Sequence, residues 1–131
     1  MATAPSPFLS PQQYLELDSR DQRPGEYYDG QMPVVEATTL SHSLIQLNLG
    51  EFLLAKLRGT QCKGLGSTLR VQIPKRPYYH PDFVVVCGKP QLAAYDTVQN
   101  STIIIEILSD STGNFDRGDK CDMYLTTPSL K

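Results

Sequence analysis

A single glutamate interrupts the most apolar stretch of this 131-residue chain, where Glu106 lies within Thr102-Ile103-Ile104-Ile105-Glu106-Ile107-Leu108. An ionised carboxylate buried without a partner is so costly that it must be paired, hydrogen-bonded or bound to a cation. Strand alternation puts Glu106 on the side of Ile104 and Leu108, near the carboxyl end of the strand, where sheet proteins commonly present ligand-binding groups. The plainer alternative is a strand-end glutamate reaching solvent or a neighbouring lysine. A second carboxylate, Asp82, follows Pro81 and opens the apolar run Phe83 to Cys87. Taken alone it reads as a strand-start cap. If the two runs pair antiparallel, however, both carboxylates come to the same end of the sheet. Two hard oxygen ligands there would suit Mg²⁺, which takes one or two carboxylates together with waters and phosphate oxygens. Asp116 and Lys120 stand four residues apart on an expected helix and share one face. They form either a surface ion pair or a device that points Lys120 at the carboxylates.

These residues need elements to hold them. Residues 1–9 read as a loose tail, and Ser10 caps a short, peripheral helix with Pro11 at its first position and Gln12 to Leu17 as its body. Asp29-Gly30, between two extended segments, signals a hairpin. Ser41 to Leu57 is expected as the main helix, burying a stripe of Leu44, Ile45, Leu49, Phe52, Leu53 and Leu57. Thr68 to Ile73 alternates as a half-buried strand with Arg70 outward, and Pro74 ends it. Phe83 to Cys87 and Thr102 to Leu108 are expected as the core strands, covered on both faces. Asn114 to Leu125 is expected as a final helix that packs by Phe115, Met123 and Tyr124.

Length and composition, with 40% hydrophobic and 20% charged residues, fit one α/β domain. No apolar run is long enough to span a membrane, and Met1 to Pro7 carry neither the basic patch nor the apolar stretch of a leader, so the expectation is a soluble, cytoplasmic protein. Cys62, Cys87 and Cys121 form no Cys-x-x-Cys pair and read as reduced thiols, with Cys87 in the core. Net charge is −2, yet Phe52 to Pro81 holds no acid and carries Lys56, Arg58, Lys63, Arg70, Lys75 and Arg76, while the rest of the chain sums to −8. The window is either a solvated face or a local phosphate-binding surface.

Tyr79-His80-Pro81-Asp82-Phe83-Val84-Val85-Val86, then Ile105-Glu106-Ile107-Leu108-Ser109 and Ser111-Thr112, then Phe115-Asp116-Arg117-Gly118-Asp119-Lys120 and Tyr124, together resemble the Uma-two family of bacterial predicted endonucleases. Glu26-Tyr27-Tyr28-Asp29-Gly30 and His42 also match that pattern. The resemblance implies a PD-(D/E)XK restriction-endonuclease-like fold: α/β, with a mixed central sheet flanked by helices. It also implies Mg²⁺-dependent, or Mn²⁺-dependent, hydrolysis of DNA. Asp82 and Glu106 would hold the metal, with Lys120 as the catalytic cation and Glu26 and Asp116 as additional carboxylates. The superfamily's lysine two residues after the glutamate is replaced here by Leu108, so the cation is expected from the following helix at Lys120. Asp110 stands where relatives often have proline. His80 and His42 are read as packing or hydrogen-bonding residues outside the catalytic set.

Lys56, Arg58, Lys63, Arg70, Lys75 and Arg76 would supply sequence-independent phosphate contacts. Relatives continue beyond Lys131 into strands that complete the sheet. The 10–131 domain is therefore expected to be incomplete at its C-terminal end and to self-associate through an exposed sheet edge. The competing function is an inactive nuclease fold that binds nucleic acid or protein without cleaving.

Overall fold

The computed structural model describes residues 8–20, 27, 30, 39–73, 76–108 and 119–131. In chain order they form α1 (Pro11–Arg20), α2 (Leu40–Leu57), β1 (Cys62–Gly66), β2 (Val71–Ile73), β3 (Arg76–Tyr79), β4 (Phe83–Cys87), β5 (Leu92–Ala93), a 3₁₀ turn (Ala94–Asp96), β6 (Thr97–Val98), β7 (Ile103–Ile105) and α3 (Asp119–Tyr124).

Four consecutive apolar residues, Phe83 to Val86, can only be satisfied in a strand covered on both faces, and all four are buried. β4 is accordingly central, antiparallel to β1 on one side and to β7 on the other. A second sheet runs β3-β2-β6-β5 and is mixed, β2 being antiparallel to β3 and parallel to β6. The α/β class and mixed strand directions match expectation, with the strands divided between two sheets. Val71, Ile73, Tyr79, Val84, Val86, Val98 and Tyr124 form the main core, and Tyr14, Leu15, Tyr27 and Tyr78 form a second. No helix among the described residues is long and apolar enough to cross a membrane.

α2 seats on β1 through glycine. A Cβ on Gly64 would lie 2.7 Å from the Phe83 ring and 2.9 Å from Leu54, so only glycine lets helix and strand approach this closely. Leu49, Leu53 and Leu57 recur every four residues on the inward side with buried Gly50, whereas Leu44, Ile45 and Phe52 are exposed. The expected stripe was therefore too wide: the helix is apolar on more than the face it packs with.

Four further expectations are corrected. α1 is not peripheral, because Tyr14, Leu15 and Asp18 are buried. It starts as foreseen at Ser10, whose Oγ accepts from Gln13 N–H while Gln13 Oε1 accepts from Ser10 N–H, a reciprocal cap. Arg70 does not point outward: it lies just before β2 and turns under α1, where its guanidinium meets Asp18. β7 is short and Ile103 is exposed, so it is not covered on both faces as β4 is. Finally, Cys62 and Cys87 are not free thiols. They stand opposite each other in the β1–β4 register and form a disulfide, and Cys87 is exposed rather than in the core. Twenty-five residues separate them, so only strand pairing brings them together.

Of the expected hairpin, Gly30 has the positive φ the turn requires, 75°. Glu26, Asp29 and the flanking segments lie outside the described residues. The same holds for Lys75, for residues 109–118 including Asp116, and for the first half of the expected last helix.

Candidate active site

Asp82 opens β4 directly after buried Pro81, and its carboxylate is gripped from two elements. Oδ2 accepts the Ile107 N–H at 2.7 Å, and Oδ1 lies 3.2 Å from His42 Nε2. His42 stands in the first turn of α2, which Thr39 caps by accepting the His42 N–H on its hydroxyl. One turn later Gln46 donates its side-chain amide to the Asp82 carbonyl at 3.1 Å. α2 therefore holds both the side chain and the backbone of Asp82. The other ring nitrogen of His42, Nδ1, is buried without a hydrogen-bond partner among the described residues, so the imidazole is aimed by its contact with Asp82 alone.

Glu106 follows β7 immediately. β4 and β7 pair Phe83 with Ile105, so the antiparallel register carries Asp82 and Glu106 to the same end of the sheet. The Asp82–Ile107 hydrogen bond fastens that end together by taking the backbone donor beside Glu106. Glu106 Oε1 accepts from the Tyr124 hydroxyl at 2.5 Å and lies 2.8 Å from Lys120 Nζ. Lys120 is buried, and its ammonium sits over the rings of Tyr79 (5.2 Å) and Tyr124 (5.9 Å), which contact each other edge to face. One turn of α3 separates Lys120 from Tyr124, so a single short helix delivers both partners of Glu106.

The structure thus assembles Asp82 and Glu106 at one sheet end with Lys120 on Glu106. It adds His42, Gln46 and Tyr124 to the arrangement. Sequence pattern marked His42 and Tyr124 only through resemblance, because no local spacing shows that the first turn of α2 lands on Asp82. Among the described residues, no three His, Cys, Asp or Glu side chains group as a metal cage. Two carboxylates about 15% and 14% exposed suit instead a hard cation that keeps waters and substrate oxygens in its shell. The donor chemistry therefore fits Mg²⁺ or Mn²⁺.

The six basic residues do not form one surface. Arg70 is buried, with Nε 2.7 Å from Asp18 Oδ2 and a second nitrogen donating to Thr97 Oγ1 (3.0 Å) and the Tyr95 carbonyl (3.2 Å). It is thereby removed from the set that can reach phosphate. His80 joins this cluster, its Nε2 2.9 Å from Asp18 Oδ2 and its Nδ1 3.1 Å from the Ser67 carbonyl. Tyr14 lies beneath Arg70 and stacks on Tyr78. Burial pushes the Tyr78 hydroxyl above its ordinary pKa of 10.0, outweighing the lowering by Arg70. Lys56, Arg58 and Lys63 are exposed, at the end of α2 and on β1. Lys75 and the Arg76 side chain lie outside the description.

Comparison with known proteins agrees with this architecture. A family profile described as "Putative restriction endonuclease", Uma2, matches residues 11–131. The chain is 32% identical over 130 residues to "Uncharacterized protein slr1290" of Synechocystis sp., covering 98% of this chain and 68% of that one. It is 25% identical over 134 residues to "Uncharacterized protein sll1609" of the same organism, covering 100% and 76%. Its fold superposes on the crystal structure of a "putative nuclease belonging to DUF820" from Anabaena variabilis with a TM-score of 0.65 at 17% identity, over 86% of this chain and 65% of that chain. With the family profile spanning both carboxylates and Lys120, the chain belongs to the Uma2 family.

Proposed function

We propose that this protein is a metal-dependent endonuclease that hydrolyses DNA phosphodiester bonds. One observation carries the reading: the β4–β7 register sets two partly accessible carboxylates at one sheet end, and α3 lays a buried lysine against one of them. Membership in a family described as restriction endonucleases supports it. Asp82 and Glu106 would hold the cation, with Mg²⁺ or Mn²⁺ the fitting class. Bound there, such an ion supplies Lewis acidity toward water and phosphate. His42 and the Ile107 N–H fix the Asp82 carboxylate, Tyr124 and Lys120 fix Glu106, and Lys120 offsets negative charge that develops on the phosphate. Lys56, Arg58 and Lys63 would touch the DNA backbone well away from the reacting bond, since Lys56 lies about 21 Å along α2 from His42. These contacts position the duplex and carry no base preference.

The binding-only reading has one observation in its favour: Oε1 of Glu106 already takes both Lys120 and Tyr124. A cleavage assay on supercoiled DNA, with and without Mg²⁺ or Mn²⁺, decides between the two. Metal-dependent nicking that falls by about 100-fold or more in Asp82→Asn, Glu106→Gln and Lys120→Ala supports the enzyme. DNA binding with no cleavage under any metal supports the module. Binding should weaken steeply with salt, and Lys56→Glu with Lys63→Glu should flatten that dependence.

A further inference from the structure

Helix α2 is apolar on two sides and packs with one. Along one flank Leu40, Leu44 and Leu47 are 76%, 52% and 70% exposed, and Leu54, whose side chain reaches Gly64 of β1, still keeps 49% of its surface exposed. Their steps of four, three and seven residues follow the alternating repeat of a helix–helix seam, with Glu51 at the remaining position of the stripe. A helix apolar around most of its circumference belongs inside an assembly, and a contiguous exposed patch of this kind marks an interaction site.

We propose that this seam pairs with the same seam of a second copy, forming an antiparallel α2–α2 dimer. The repeat selects the occupant, because such a seam is complementary to another helix of the same period and a two-fold contact between identical seams closes on itself. Charge selects the direction. Glu51 is the only charged residue of the stripe between Leu40 and Leu54. A parallel pair would set it against its own copy. In an antiparallel pair with Leu47 at the two-fold axis, Leu40 meets Leu54 of the partner subunit and the two Glu51 residues lie about 12 Å apart along the helices, beyond the screening length of about 8 Å in physiological salt. Area sets the strength. The four leucines expose on the order of 400 Å² per copy, and with flanking Asn48, Glu51 and Ala55 a pair buries on the order of 1,000 Å², the threshold of a specific interface. An interface at that threshold is a weak one. The contact is made by helix side chains rather than by sheet backbone and is independent of the nuclease reading.

Sedimentation velocity on the full chain, from roughly 1 to 200 µM, tests the proposal. The expected result is a monomer–dimer equilibrium, weakened at least tenfold in Leu44→Glu with Leu47→Glu while circular dichroism and thermal unfolding stay as in the wild type. A second readout does not depend on that variant folding. In a Cys121→Ser background, Leu47→Cys should oxidise to a covalent dimer across the axis, whereas Leu40→Cys, about 21 Å from its copy, should not. A monomer throughout the range overturns the proposal. So does a dimer indifferent to the glutamates, which would place the contact at a sheet edge, or equal cross-linking at Leu40 and Leu47.

Discussion

Two charged clusters meet at Pro81. His80, on one side of it, joins Asp18 and Arg70 beneath α1, while Asp82, on the other, joins His42 and the end of β7. Both clusters hold a carboxylate against a histidine. They differ in access: the Asp18 side chain is 1% exposed, against 15% for Asp82. Asp18 sits between Arg70 and His80, and Arg70 is further satisfied by Thr97 and Tyr95. Nothing in that arrangement offers an incoming ligand a coordination site, and its effect is to fasten α1 to the strands. Asp82 keeps a solvent-facing side. The comparison teaches that a charged residue in a core becomes a candidate for chemistry only when its partners leave it partly open.

The same substitution on each side should separate the two roles. Asp18→Asn leaves the Arg70 charge buried without its counter-ion and is expected to cost about 3 to 5 kcal/mol, a fall of about 10 °C or more in Tm. Asp82→Asn keeps an acceptor for the Ile107 N–H and is partly reached by water, so about 1 kcal/mol or less is expected. Thermal and urea unfolding of the two variants check this. Equal losses would erase the distinction between a sealed and an open cluster.

Metal sharpens the contrast. Saturating Mg²⁺ or Mn²⁺ should stabilise the wild type, by about 2.7 kcal/mol at a hundredfold excess over Kd. An Asp18→Asn chain held below its own Tm should show a shift of the same size, and Asp82→Asn should show none. A shift that survives Asp82→Asn, in the same thermal scans, would place the ion elsewhere.

The smallest effect belongs to the tyrosine cluster beside Arg70. Burial raises the Tyr78 pKa above that of the unfolded chain, so the folded state favours the neutral phenol. Its contribution is complete below pH of about 10 and is lost as pH rises through the higher folded value. Wild-type stability should decline over that alkaline limb more steeply than that of Tyr78→Phe. Parallel declines in pH-dependent urea titrations would remove Tyr78 from the account.

Legibility in the sequence tracked how local each cause was. The Ser10 cap, the span of α2, the strand Phe83 to Cys87 and the anomaly of Glu106 are set by neighbours within one or two turns or strand steps, so period and residue type reveal them. Arg70 misled because alternation specifies a side of a strand and not what lies there, and α1 arrives from more than fifty residues away to meet it. The cysteines misled for the same reason, their pairing being a property of the β1–β4 register.

Unaided, the residue order determined that two carboxylates would need explaining and that the strand opened by Asp82 would be buried, because a charge set against an apolar run carries its cost wherever it folds. Tertiary structure alone decided which charges stayed open. Asp82 stands out locally by opening an apolar run after Pro81, but no local pattern shows that it stays partly open while Asp18 is sealed. Their difference arises when α1 carries one onto Arg70 and His80 and α2 reaches the other with a histidine and a glutamine. Desolvation depends on everything within a few ångströms, and in a folded chain most of that comes from residues far away in sequence.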